Sequence, residues 1–302
     1  MSYHNPVMLT ECIEALKIKP DGVYVDVTFG GGGHTREILK HLGASGKLIA
    51  FDQDEDAKAN LPDDPRVLFV AANFRYLSRF LKLHGYKKVD GILADLGVSS
   101  HQFDTAERGF SYRFNADLDM RMNQEDTLKA SDILNTYNTG QLQTMFSEFG
   151  EVRNSKTLAQ RIADERSIKP FKYISDFLTL IRPLSMGEEM RYSSQVFQAL
   201  RMEVNKETDV LTEMLESTAD CLKPGANLVV MSYHSIEDRL VKNVMKTGNA
   251  RGEQIKDFYG NISRPFKVIT KKPIEPTHSE VKMNVRARSA KLRIAERLEE
   301  KD

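Results

Sequence analysis

The chain has 302 residues with 43 Lys+Arg against 43 Asp+Glu, so its formal net charge is zero and the molecule as a whole carries no electrostatic signature of a nucleic-acid binder. Hydrophobic content of 40% and charged content of 28% mark an ordinary globular protein of one large or two modest domains. No run of 18 apolar residues is available to span a membrane, the opening Met-Ser-Tyr-His-Asn-Pro lacks the basic and apolar regions of a signal peptide, and two distant cysteines, Cys12 and Cys221, make neither a disulfide framework nor a zinc cluster, so a cytoplasmic protein without a metal site is expected.

Met8, Leu9, Cys12, Ile13 and Leu16 share one helical face, which predicts a first helix with Cys12 as a core residue. Val23, Val25 and Val27 then alternate with Tyr24 and Asp26 as a strand that runs into Gly30-Gly-Gly-Gly33 and a helix from Thr35 to Leu42. Strand, glycine loop and helix N-terminus form a nucleotide-type site, because glycines let a ligand lie against the main chain. The third glycine of a dinucleotide fingerprint is missing, and no Gly-Lys-Ser/Thr of a phosphate loop follows. Asp26 ahead of the glycines offers an acid for an ammonium group, which suits the methionine end of S-adenosylmethionine.

Lys47–Phe51 is a second strand ending at Asp52, which lies 22 residues past Gly30, near the spacing at which an acid meets a ribose hydroxyl. The competing role for Asp52 is an N-cap. A third strand, 66–70, leads to Asn73-Phe74, where the ring either stacks on an adenine or packs in the core. A helix from Tyr76 to Leu83 and a fourth strand, 89–94, end at Asp95. This alternation predicts a parallel, doubly wound sheet with ligands beyond the carboxyl ends of the strands, where the loop, Asp52, Phe74 and Asp95 all fall.

The pattern breaks near Glu107. Arg108–Asn115 and Leu118–Met122 are rich in arginine, aromatics and methionine without a clean period, and only helices follow: 140–149, 155–166, 174–181 and 193–204. Residues 108–205 therefore read as an all-helical insertion, with 1–107 and 206–302 as one discontinuous α/β domain. The α/β pattern resumes with a helix from Val210 to Leu222 and a fifth strand, 227–232, ending at Tyr233-His234-Ser235. Ser235 is the expected N-cap of a helix from Ile236 to Lys246. Phe266–Thr270 and Lys291–Ala295 are candidates to pair as strands. Lys271, Lys272, Lys282, Arg286, Arg288, Lys291 and Arg293 make this end basic, either a solvated surface or, with Arg108, Arg113 and Arg121, a phosphate-contacting face.

Seven segments together resemble the RsmH (MraW) family of bacterial methyltransferases: Val25-Asp-Val-Thr-Phe-Gly-Gly-Gly-Gly-His34, Asp90-Gly-Ile-Leu-Ala-Asp-Leu-Gly-Val-Ser-Ser100, Arg108-Gly-Phe110, Leu118-Asp-Met-Arg-Met122, Phe197-Gln-Ala-Leu-Arg201, His234-Ser-Ile-Glu-Asp-Arg239 and Arg286-Ala-Arg-Ser-Ala-Lys-Leu-Arg293. They come in the family's order along nearly the whole chain. The resemblance implies a class I, Rossmann-like S-adenosylmethionine-dependent methyltransferase sheet with a helical domain inserted after strand four. The position of that insertion, and its arginines interleaved with Phe110, Tyr112 and Phe114, lead to the expectation of an RNA-recognition domain whose loop from Arg108 to Met122 clamps the RNA. It implies methylation of the N4 amine of one cytidine in the decoding region of 16S rRNA, within the small ribosomal subunit, and leaves a homodimer open. It places cofactor contacts on Gly32, Gly33, His34, Asp52, Phe74, Asp95 and Gln102.

Methyl transfer from a sulfonium is an in-line displacement in which the protein chiefly positions the reactants. The cytosine amine needs hydrogen-bond acceptors that localise its lone pair. Asp95, the Gly97 carbonyl or Ser99 are placed to supply one, and His234 at the end of strand five is a second catalytic candidate beside Asp95. Methylation at ring carbon C5 would need a cysteine nucleophile, and neither cysteine follows a strand near Asp95. Two other functions fit parts of the pattern: a nicotinamide-dependent dehydrogenase, and a non-catalytic RNA-binding ribosome assembly factor that retains the cofactor pocket.

Overall fold

The computed structural model describes residues 6–256, 260, 262 and 264–299; residues 1–5 of the stretch considered above as a leader lie outside them. The chain divides into two compact units, Met1–Gly97 with Thr208–Asp302, and Val98–Glu207.

In the first unit, β1 (Val23–Asp26), β2 (Lys47–Asp52), β3 (Val67–Ala71), β4 (Val89–Asp95), β5 (Leu222–Ser232), β6 (Phe266–Val268) and β7 (Lys291–Arg297) form one seven-stranded sheet in the order β3-β2-β1-β4-β5-β7-β6. Strands β1 to β5 are parallel, and β7 runs antiparallel to both β5 and β6. The pairing of the 266–270 and 291–295 segments is thus as anticipated. The sheet is buried on both faces, so successive residues enter different cores: Val25, Ile49, Ile92 and Val230 on one side, Tyr24, Leu48, Leu93 and Val229 on the other. The first face is covered by α3 (Leu77–Leu83), α10 (Glu207–Cys221) and α11 (Ser235–Thr247), the second by α1 (Leu9–Leu16) and α2 (Gly33–His41). Cys12 is fully buried in that second core, as its place on the helix face predicts.

Chain order runs outward from β1 to β3 and then returns to β4, so the strand order reverses between β1 and β4. At such a reversal the connecting loops part and leave a crevice beyond the carboxyl ends. β5 departs from expectation at its start. Its pairing with β4 begins at Val89↔Leu222 and slips before resuming at Gly91↔Asn227, because Pro224 lacks an N–H for the ladder and Lys223–Gly225 loop out exposed.

The second unit contains α4 (Ser100–Asp104), α5 (Ala130–Thr136), α6 (Thr139–Gly150), α7 (Ser155–Ile168), α8 (Ile174–Ile181) and α9 (Glu189–Val204) around a separate core. It begins at Val98, ten residues before the expected 108, because Val98 and Phe103 pack on that core. α5 escaped the sequence reading: seven residues give too few turns for periodicity to register.

The Arg/aromatic stretch is not an open clamp. Arg108 is buried and donates through Nη2 to the carbonyls of Arg121 (3.1 Å) and Met122 (2.9 Å). Phe110, Leu118 and Met120 are in the core, and Arg121 is paired with Asp119 (2.6 Å). Of its three arginines only Arg113 is exposed. Hydrophobic residues without a period here line an irregular segment that closes the core.

Candidate active site

After β1 the chain is tied to both neighbouring strands: Val27 N–H donates to Leu93 O (2.9 Å) and Phe29 N–H to Phe51 O (2.9 Å). It then turns through left-handed backbone at Gly30 (φ 49°) and Gly32 (φ 72°), conformations that favour glycine, and enters α2 at Gly33. Gly33 and His34 therefore lie in the first turn of the helix, two residues earlier than Thr35. The loop is held on its outer side, where Asn60 Nδ2 donates to Gly30 O (3.1 Å) and the Arg36 guanidinium to Gly31 O.

Asp26 does not present its carboxylate to a ligand. It is 1% exposed and accepts from Thr35 Oγ1 (2.8 Å), Thr28 N–H (3.1 Å) and Thr28 Oγ1 (3.4 Å). The Thr28 hydroxyl also accepts from Asp95 N–H (2.7 Å). Asp26 is thus an internal clamp joining β1, the loop, α2 and the end of β4. The expectation that it presents an acid to an ammonium group is not met, because three of its four acceptor sites serve Thr28 and Thr35 and the side chain is buried.

Asp52, at the tip of β2, points at the loop. Its Oδ2 accepts from Gly30 N–H (2.7 Å) and its Oδ1 from Asp54 N–H (2.9 Å). The alternative role as a helix cap falls to Asp54, which accepts from Asp56 N–H (3.2 Å) at the start of a 3₁₀ turn. A carboxylate oxygen has two acceptor sites, so Asp52 keeps capacity for hydroxyl donors. Burial raises its pKa to about 6, against the hydrogen bonds from Asp54 and Gly30. Phe74 follows β3, half-buried and packed on one side against the sheet core. Asn73 fixes that turn by accepting from Arg75 N–H (3.0 Å) and donating to Gln53 Oε1 (2.6 Å).

Asp95 ends β4. Its Oδ1 accepts from Tyr233 Oη–H (2.7 Å), and its Oδ2 lies 3.9 Å from His34 Nδ1. His34 is buried, with Nε2 3.2 Å from Val7 O. A carbonyl can only accept, so Nε2 carries a proton. Burial lifts the Asp95 pKa to about 6, opposed by His34 and by the Tyr233 hydrogen bond. Cys12 lies near enough to Asp95 to feel its charge, but burial first and that carboxylate second push the thiol well up, so it is not a thiolate nucleophile.

His234 rather than Ser235 is the N-cap of α11, and Ser235 is the first helical residue. The Nδ1 of His234 accepts from Glu237 N–H (3.5 Å), and its Nε2 is 3.1 Å from Glu237 Oε1. The helix starts one residue earlier because the imidazole can do the work expected of the hydroxyl. Glu237, 5% exposed, also accepts from Tyr233 N–H (2.8 Å). Neither Glu237 nor Tyr233 was singled out from sequence; a glutamate three residues after a cap was the available signal. Gln102 belongs to the second unit, where it is buried and forms a capping box with Ser99 around α4.

A parallel sheet ordered 3-2-1-4-5 with an antiparallel seventh strand inserted beside the fifth, a glycine loop after β1 and an acid at the tip of β2 define a class I methyltransferase. The MraW methylase family model matches residues 1–298, and the chain belongs to that family. Curated proteins called ribosomal RNA small subunit methyltransferase H are similar over almost the full length. The one from Bacteroides thetaiotaomicron is 53% identical over 298 residues, covering 98% of both chains. That from Parabacteroides distasonis is 54% identical over 298 residues, again 98% of both, and that from Flavobacterium johnsoniae is 53% identical over 300, 99% of both. A solved structure of a putative rRNA-methylase from Clostridium thermocellum shares 13% identity across 99% of this chain and 100% of that one, with a TM-score of 0.45, a likeness too loose to carry an argument.

The chain is accordingly an S-adenosylmethionine-dependent methyltransferase, not a dehydrogenase. The first unit's residues fit that cofactor. Among the described residues nothing outside the local chain comes within 4 Å of where a Gly31 Cβ would sit, so a ligand can approach the main chain there. Asp52 offers acceptors beside it for hydroxyls, and Asp95 offers Oδ2 for an amine. No helix among the described residues is long and apolar enough to cross a membrane.

Proposed function

We propose that the protein methylates the N4 amine of a cytidine in the decoding region of 16S rRNA, in the bacterial cytoplasm and on the small ribosomal subunit. Membership of a methylase family whose relatives are called small-subunit rRNA methyltransferases carries this reading. Bound S-adenosylmethionine supplies the methyl group from its sulfonium.

The chain's own part is placement. Asp52 receives the ribose hydroxyls, Gly32, Gly33 and His34 line the path of the cofactor with main chain, and Phe74 gives its half-exposed ring to the adenine. Asp95 accepts from an amine through Oδ2, and the helical unit recognises the RNA. His234 is the second candidate for the target amine. Asp95 Oδ2 would localise the lone pair of the cytosine nitrogen and stabilise the positive charge that grows on it, whereas both ring nitrogens of His234 face Glu237. Both thiols are buried and raised in pKa, which supports transfer to nitrogen over the cysteine-dependent route to ring carbon.

The test is incubation with S-adenosylmethionine carrying a labelled methyl group, with naked 16S rRNA and with small subunits in parallel. Digestion to nucleosides and mass spectrometry should find label in N4-methylcytidine, most from the subunits. Label in 5-methylcytidine, or none in RNA, overturns the reading.

A further inference from the structure

We propose that Tyr233 is a positioning residue for methyl transfer, which orients the Asp95 carboxylate so that Oδ2 stays available to an amine. The inference rests on the reading of Asp95 given above. Tyr233 follows β5 and is held at both ends: its N–H donates to Glu237 Oε2 (2.8 Å) and its hydroxyl to Asp95 Oδ1 (2.7 Å). Its ring lies beside Gly97, where a Cβ would come within 3.4 Å of Cδ2. The phenol thus approaches from the β5 side and engages one oxygen, while the other is turned toward His34 at 3.9 Å. A phenylalanine would fill the same space but leave Oδ1 without this donor.

The groups that act on the Asp95 charge are His34 and Tyr233, which favour the carboxylate, and Asp26 and Glu237, which oppose it. Cys12 faces the same carboxylate as a neutral thiol. The phenol is itself pushed well above its ordinary range, first by burial and then by Asp95, so it remains a donor across the working pH range. A hydrogen bond to an ionised group is worth about one pH unit in the acceptor's titration.

The test compares wild type, Tyr233→Phe and Asp95→Asn as full-length proteins, with S-adenosylmethionine and small ribosomal subunits. In Tyr233→Phe the acidic limb of kcat/KM should move up by about one pH unit, lowering activity about fivefold at pH 6 and converging on wild type above about pH 8. A merely structural residue would give a loss independent of pH. Incorporating 3-fluorotyrosine at position 233 keeps the packing and strengthens the donor, so the limb should move down. An impaired Asp95→Asn beside an unshifted limb in both Tyr233 proteins would overturn the inference alone. A fully active Asp95→Asn would overturn the reading of Asp95 on which it rests.

Discussion

Asp52 and Asp95 are carboxylates held in the protonation range of a histidine, each raised to about 6 by burial. A native pKa above the unfolded one means the folded state binds more protons between roughly pH 4 and 6. Stability from these groups is therefore greatest below about pH 4 and is lost as pH rises through 6. The loss is at most about 3 kcal/mol for each. Asp52→Asn should remove its share, so urea denaturation across pH 4 to 7 should show the variant declining less than wild type. The same variant should bind S-adenosylmethionine at least about tenfold more weakly by calorimetry, since a hydroxyl acceptor is gone. Two neighbouring glycines make a sharper pair. A Gly33 Cβ would sit 2.2 Å from Pro6 Cγ, whereas a Gly31 Cβ would meet nothing within 4 Å among the described residues. Gly33→Ala should cost about 1–3 kcal/mol in thermal or chemical unfolding. Gly31→Ala should leave unfolding within about 0.5 kcal/mol of wild type and still weaken cofactor binding, because the methyl takes the place of the ligand.

At the scale of elements, the basic C-terminal end separates into two kinds of cation. Lys271, Lys272, Lys282 and Arg288 are exposed, as a phosphate-contacting face requires. Arg293 on β7 is 6% exposed and makes two bonds to Asp238 of α11, 2.6 Å to Oδ1 and 2.9 Å to Oδ2. It fastens the helix after β5 to the strand beside β5. Arg293→Ala would leave Asp238 without this partner in a buried setting and should cost about 3–5 kcal/mol of unfolding free energy. Lys271→Ala should change stability by no more than about 0.5 kcal/mol, which places any effect of that change in RNA affinity instead. Charge patterning could not sort these residues, because burial is decided by which strand lies against which helix.

For the whole molecule, the two units have separate cores, and the helical one interrupts the sheet unit between Gly97 and Thr208. Replacing Val98–Glu207 by a flexible linker should leave a protein that folds and binds S-adenosylmethionine within about tenfold of wild type. It should lose RNA binding in a filter assay. Retained RNA affinity would move recognition to the sheet unit and its exposed lysines.

The alternation of Val23–Val27, the glycine run and the acids at strand ends made the sheet unit and most of its site legible, because periodicity and turn chemistry are local. The insertion was legible as helices, but not its first ten residues or α5, whose assignment depends on packing. Sequence placed Asp26, Asp52 and Asp95 at the ends of strands; only the fold showed that Asp26 faces inward to Thr35 while Asp52 reaches Gly30 and Asp95 meets His34 and Tyr233. Tyr233 and Asp95 are 138 positions apart, and no local pattern reports a hydrogen bond across that interval. The sequence by itself determined which residues could carry the chemistry. The tertiary structure decided which have acceptor atoms left over, since that depends on every donor brought near them.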